Sequence, residues 1–178
     1  MKSIFFALLL LLAGCSAMPL DLTEHISVNS PQTLQLVAPP PTSLNLAWQP
    51  QPIDDFIISQ NADGVIGHTH YQDVAIGRLI SRRVETLLRT VTSIDSQSDS
   101  LVTVSVEEAR LGYKYGVNRL AYANLLLNVA IAAEGRSHSK IYYRQSTDQA
   151  GLSASESLEM LFDSLAIEIA QDVLASLI

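Results

Sequence analysis

Leu101-Val102-Thr103-Val104-Ser105-Val106-Glu107-Glu108 alternates apolar and polar residues up to its closing pair of glutamates. A strand projects successive side chains to opposite faces, so Val102, Val104 and Val106 share one face and Thr103 and Ser105 the other. β-Branched residues fit the pleated state. An apolar face must be covered, whereas a polar face can meet water, so the stretch reads as a strand of a sheet packed on one side. The fold then turns on what covers the valine face.

Two amphipathic stretches supply that cover. In the first, Ile76, Leu79, Ile80, Val84, Leu87, Leu88 and Val91 recur at helical steps, with Arg78, Arg82, Arg83, Glu85 and Arg89 between them. With Asp73 as N-cap, the spacing predicts a helix over 73–91. In the second, Ser153-Ala154-Ser155-Glu156 fits a capping box, and Leu158, Leu161, Phe162, Leu165, Ile169, Val173 and Leu177 form the stripe that follows. Further strands are expected at Thr33–Ala38, closed by Pro39-Pro40-Pro41, and at Ser43–Trp48. Residues 53–72 read as irregular, with a turn at Asn61-Ala62-Asp63-Gly64. Residues 93–100 read as a loop, and 110–119 as an exposed connection or strand extension. Leu120–Glu134 fits helix or strand. Tyr122, Val129 and Ile131 favour strand, with a hairpin loop at Gly135-Arg136-Ser137 leading into Ser139–Ser146. The expected fold is α+β: an antiparallel or mixed sheet of about four to five strands, packed on one face by two helices.

The N-terminus carries a different message. Met1-Lys2-Ser3 is short and positive, Ile4 to Leu12 is apolar, and Ala13-Gly14 precede Cys15. That is the layout of a secretory signal, and its apolar run is too short to span about 30 Å of hydrocarbon as a helix. Leu12-Ala13-Gly14-Cys15 resembles the lipobox of bacterial lipoproteins. The resemblance implies cleavage before Cys15, lipidation of Cys15 and acylation of the new amine. Several acyl chains make such an anchor effectively permanent. Ser16 in place of Asp favours export to the outer membrane, facing the periplasm. Cys15 is the only cysteine, so no intramolecular disulfide forms. The expected organisation is a signal peptide over 1–14, a lipidated tether over 15–32 and one domain over 33–178.

The chain holds 11 Lys and Arg against 18 Asp and Glu, for a net charge of −7. Lys2 would leave with the signal, making the remainder more acidic still. This balance argues against nucleic acid and against electrostatic docking to anionic lipid.

Chemistry-bearing groups are few. His68 and His70 are two apart and would share a strand face, with Asp63 and Asp73 near in sequence, so a metal-dependent hydrolase is one reading. Asp54-Asp55 and Glu107-Glu108 are adjacent pairs that would point to opposite faces of a strand, which is the behaviour of solvated charge. There is no Gly-x-Ser-x-Gly elbow, phosphate loop or dinucleotide fingerprint, and no cofactor is implied. Arg110, Tyr113, Lys114, Tyr115 and Arg119 make a possible partner-binding surface, since Tyr and Arg are enriched in binding hot spots. Arg78, Arg82, Arg83 and Arg89 read as a solvated basic face of the first helix.

The segments Ile76–Leu88, Leu101–Val106, Leu125–Ala132, Ile141–Arg144 and Leu158–Val173 come in an order that resembles the YajG-type family of small periplasm-facing lipoproteins. The resemblance implies an address and a fold, but no site residues. The same order resembles lipoproteins that assist lipopolysaccharide assembly and others auxiliary to lipid-trafficking transporters. The sequence is therefore read first as a non-enzymatic envelope lipoprotein with a protein partner. An accessory in lipopolysaccharide or lipid transport is the second reading, and the hydrolase is the third.

Overall fold

The computed structural model describes residues 22–26, 34–36, 38–56, 58–63, 69–116, 119–147 and 154–178. The signal segment, Cys15 and Ser153 of the expected capping box lie outside them. The elements are β1 (Ser43–Gln49), β2 (Ile58–Asp63), β3 (Thr69–Val74), α1 (Ile76–Leu88), β4 (Ser93–Ile94), β5 (Leu101–Gly116), β6 (Arg119–Ala133), β7 (Arg136–Thr147) and α2 (Ala154–Ala175). A single 3-10 turn spans Ile53–Asp55.

The 16-residue β5 is the spine of a mixed sheet. Antiparallel β6 and then β7 run along one of its edges. The other edge is shared end to end. Parallel β1 pairs with Leu101–Ser105, and parallel β2 pairs with Tyr113 and Lys114. β4 lies beside β1, and β3 beside β2. At either half of β5 the sheet is therefore five strands wide, β5 included, and the α+β architecture is the expected one.

The valine face of β5 is buried as its alternation requires, but the pattern changes parity partway. Val102, Val104 and Val106 face the core, then Leu111 and Tyr113 do. The register shifts between Val106 and Glu108, so the extra residue keeps the apolar positions inward. β6 needs no such correction: Ala123, Leu125, Leu127, Val129, Ile131 and Ala133 all point inward. Strict period 2 over the eleven residues from Ala123 to Ala133 fits the observed strand, which ends at Ala133, one residue short of Glu134. The β6–β7 turn is Glu134-Gly135, both at positive φ (50° and 76°), one residue earlier than the expected Gly135-Arg136-Ser137 loop. This is the left-handed pair that a two-residue hairpin requires.

α2 lies across β5, β6 and β7, and α1 packs along α2. Both stripes join one core cluster with the sheet. α1 starts at Ile76 rather than 73. Asp73 belongs to β3 and pairs with Ser59 of β2, and Ala75 takes the N-cap without a side-chain bond. Residues 53–72 are likewise less irregular than their composition implies. β2 and β3 pair there, and Asn61, Ala62 and Asp63 belong to β2 rather than to a turn. Of the expected strand over 33–38, the described residues Leu34–Leu36 and Ala38 carry no strand pairing, and Leu34 is instead buried in the core.

Candidate functional site: an open sheet face

The helices cover one side of the sheet only. On the other side the ladder fixes which side chains are neighbours. Arg110 stands opposite Leu126, and Leu126 opposite Tyr143. One step away, Asn128 stands opposite Ile141. Ile141 is 64% exposed and Tyr143 44%, although both are large and β7 is a sheet edge. Leu126 is half-buried between them and Arg110, whose side chain is 74% exposed. Arg110 bonds Glu108 on its own strand, and the Tyr143 hydroxyl donates to Gln145 at 2.8 Å. Glu107 accepts from Asn128 at 3.0 Å and from Ser139 at 3.3 Å, tying the three strands together at the rim. Elsewhere this face carries the small residues Ala130, Ala132, Ser105 and Ser137, and Leu101 at the start of β5 is 48% exposed on it.

The expected partner-binding set therefore divides. Arg110 lies on the open face. Tyr113 is 4% exposed and belongs to the core, because the bulge at Glu107-Glu108 turns odd-numbered residues inward beyond it. Lys114, Tyr115 and Arg119 are described as strand backbone, opposite Tyr122, Leu120 and Gly116 respectively, and their side chains lie outside the description. The tyrosine beside Arg110's row is Tyr143, supplied by β7 across β6. Only pairing register could have identified it.

The polar side of β7 meets α2. Lys140 bonds Asp172 at 2.7 Å and Glu168 at 3.0 Å, Arg144 bonds Ser164 at 3.0 Å and also Glu168, and the Tyr142 hydroxyl donates to Asp172 at 2.7 Å. Burial, then the Asp172 carboxylate, pushes the Tyr142 phenol well above tyrosine's ordinary value. Burial pulls the Lys140 ammonium down, but Asp172 and Glu168 outweigh it and its net shift is upward.

Arg83 departs most from its sequence reading. It is fully buried rather than solvated. Its guanidinium donates to Asp163 at 2.8 Å, Glu159 at 2.6 Å and the Leu79 carbonyl at 3.2 Å, and lies 5.3 Å from the centre of the Phe162 ring. Glu159 also accepts from the N-terminal segment, through the Thr23 amide at 2.5 Å and the Thr23 hydroxyl at 3.1 Å. Glu24 pairs with Arg78 at 2.9 Å, and Leu22 and Ile26 pack against the core. Arg78 and Arg82 are exposed as expected, but both are paired, Arg82 with Asp54 and Glu85.

A surface groove of about 460 Å³ lies beside the C-terminal end of α2, lined by Leu36, Pro39–Pro41, Leu174, Leu177 and Ile178 and by the polar Gln35, Ser100, Glu134, Gln171 and Asp172. His68 lies outside the described residues, and His70 sits in β3 opposite Ala62. Among the described residues no three His, Cys, Asp or Glu side chains gather closely enough to hold a metal ion. Among them, too, no helix is long and apolar enough to cross a membrane.

No family model and no curated protein matches this chain. Solved structures similar to it include a Xanthomonas campestris protein of the DUF330 family, 16% identical, with a TM-score of 0.49 over 81% of this chain and 93% of that one. They also include a minor lipoprotein from Acinetobacter baumannii, 13% identical, with a TM-score of 0.39 over 75% of this chain and 91% of that one.

Proposed function

We propose that this chain is a non-enzymatic envelope lipoprotein, anchored through lipid on Cys15 in the outer membrane and facing the periplasm. Its role is to bind an envelope protein through the open sheet face. The address rests on Leu12-Ala13-Gly14-Cys15 and Ser16, and the YajG-type order of segments agrees with it. One observation carries the partner-binding role: Ile141 and Tyr143 stand exposed on an edge strand, beside Leu126 and Arg110. Exposed aromatic, aliphatic and Arg groups on an uncovered face have the composition of a hot spot, and an open edge adds main-chain donors and acceptors.

The test has two parts. Cells fed labelled palmitate should label the protein but not its Cys15→Ala variant. A benzoyl-phenylalanine cross-linker at Ile141 should then give one discrete protein adduct in intact cells, lost on Arg110→Glu or Tyr143→Ala. Absence of label would remove the anchor. A featureless ladder of adducts, unchanged by both variants, would remove the partner surface.

The groove beside α2 supports a second reading, an accessory in lipopolysaccharide or lipid transport. That reading requires an acyl-chain probe to bind there and to be displaced by Leu36→Glu. The hydrolase reading of His68 and His70 requires zinc binding that is lost in the double Ala variant.

A further inference from the structure

Residues 22–26 lie inside the expected tether over 15–32, yet they are held against the helices. Thr23 gives both its amide and its hydroxyl to Glu159, Glu24 pairs with Arg78, and Leu22 and Ile26 enter the core margin. Glu159 is on α2 and Arg78 on α1, so the segment bridges the helix layer on the side of the sheet opposite Ile141 and Tyr143.

We propose that this segment is a strap that shortens the leash to the lipid, so that the helix layer faces the bilayer and the open sheet face is turned away from it. The proposal rests on the Cys15 anchor of the functional reading. Lengths decide it. From Cys15 to Leu22 is 7 residues, at most about 25 Å of extended chain. A compact domain of this size is roughly 40 Å across. A leash of that length cannot reach around the molecule to lay its far face on the membrane. If the first fixed residue were Leu34 instead, the leash would be 19 residues, about 65 Å, and the domain could roll freely.

The chain from Cys15 onward contains every described residue, and its single thiol gives a clean handle. It would be coupled through Cys15 to a maleimide lipid in phosphatidylcholine vesicles, with a benzoyl-phenylalanine cross-linker at Met160 or at Ile141. Met160 is 37% exposed on α2, next to Glu159, and Ile141 lies on the open face. Met160 should give about tenfold more lipid adduct than Ile141. Thr23→Pro, which removes the amide donor without touching Arg83, should bring the two within about twofold. Equal adducts from both positions in the parent chain, or no change with Thr23→Pro, would overturn the proposal. Chemical coupling separates this result from whether cells lipidate Cys15, which the palmitate experiment reads. In the uncoupled chain the Thr23 amide should exchange slowly with solvent, and at least tenfold faster in Glu159→Leu, which keeps no acceptor for it. Fast exchange in the parent chain would overturn the strap directly.

Discussion

Taking a guanidinium out of water costs several kcal/mol unless its donors are met by charge and hydrogen bonds, and Arg83 has both. Two carboxylates, a carbonyl and an aromatic ring surround it, and Glu159 is in turn bonded by Thr23. Arg83→Met leaves Asp163 and Glu159 buried without their cation, and should cost about 3–5 kcal/mol in urea unfolding. The triple replacement Arg83→Met, Glu159→Leu, Asp163→Leu should recover most of that loss, because no charge is then stranded. Failure of the triple to recover would mean that the cluster stabilises the fold by more than mutual compensation. Tyr142 makes a pH statement. Its phenol ionises near pH 10 in the unfolded chain but not in the folded one, so the unfolded state loses the proton first. Its contribution is complete below about pH 10 and falls above it, by up to about 1.4 kcal/mol per pH unit. Lys140, also shifted upward, adds a loss of the same sign. Tyr142→Phe should therefore flatten the alkaline limb of a stability-versus-pH curve. It should also cost about 1 kcal/mol at neutral pH, for the lost bond to Asp172.

Elements are set by local pattern until a neighbour intervenes. The parity change in β5 is written as Val106-Glu107-Glu108, where two glutamates interrupt the alternation, but the apolar meaning of Leu111 and Tyr113 follows only once the bulge is seen. α1 begins where the β2–β3 ladder ends. Its entry is tight: a Cβ on Gly77 would lie 2.2 Å from the Ile53 carbonyl oxygen and 2.8 Å from the Phe56 Cβ. Gly135 is the opposite case, with open space around it but a φ of 76°. Both Gly→Ala changes should destabilise, for different reasons. Gly135→Ala should cost about 1–2 kcal/mol from left-handed backbone alone. Gly77→Ala must displace backbone, and should cost about 1–3 kcal/mol. Thermal melts of the two variants check this, and Gly135→Asn should be milder than Gly135→Ala because Asn tolerates that conformation.

The whole molecule joins three parts: a helix layer, a sheet closed on one side, and an N-terminal segment fastened to the helices. If residues 22–26 belong to the folding unit, a chain beginning at residue 27 should lose the Thr23 bonds and the partial burial of Leu22 and Ile26. About 2–4 kcal/mol is a fair magnitude for those losses, or roughly 5–15 °C in Tm. An unchanged Tm would make the segment a passive tether.

The sequence by itself determined the α+β class, the inward valine face and the stripe of α2, because each follows from a periodicity of 2 or 3.6 acting on near neighbours, while 120–134 fitted helix or strand until its pairing with β5 and β7 decided for strand. It also carries Leu12-Ala13-Gly14-Cys15, a local pattern that resembles a lipobox. The tertiary structure alone decided that Arg83 is buried, that Tyr113 is core, that Tyr143 joins the row of Arg110, and that Thr23 meets Glu159. Thr23 and Glu159 are 136 residues apart, and Arg83 and Asp163 are 80 apart. Periodicity assigns a residue to a face of its own element. Whether that face meets water, a carboxylate or another strand depends on which distant element is packed against it.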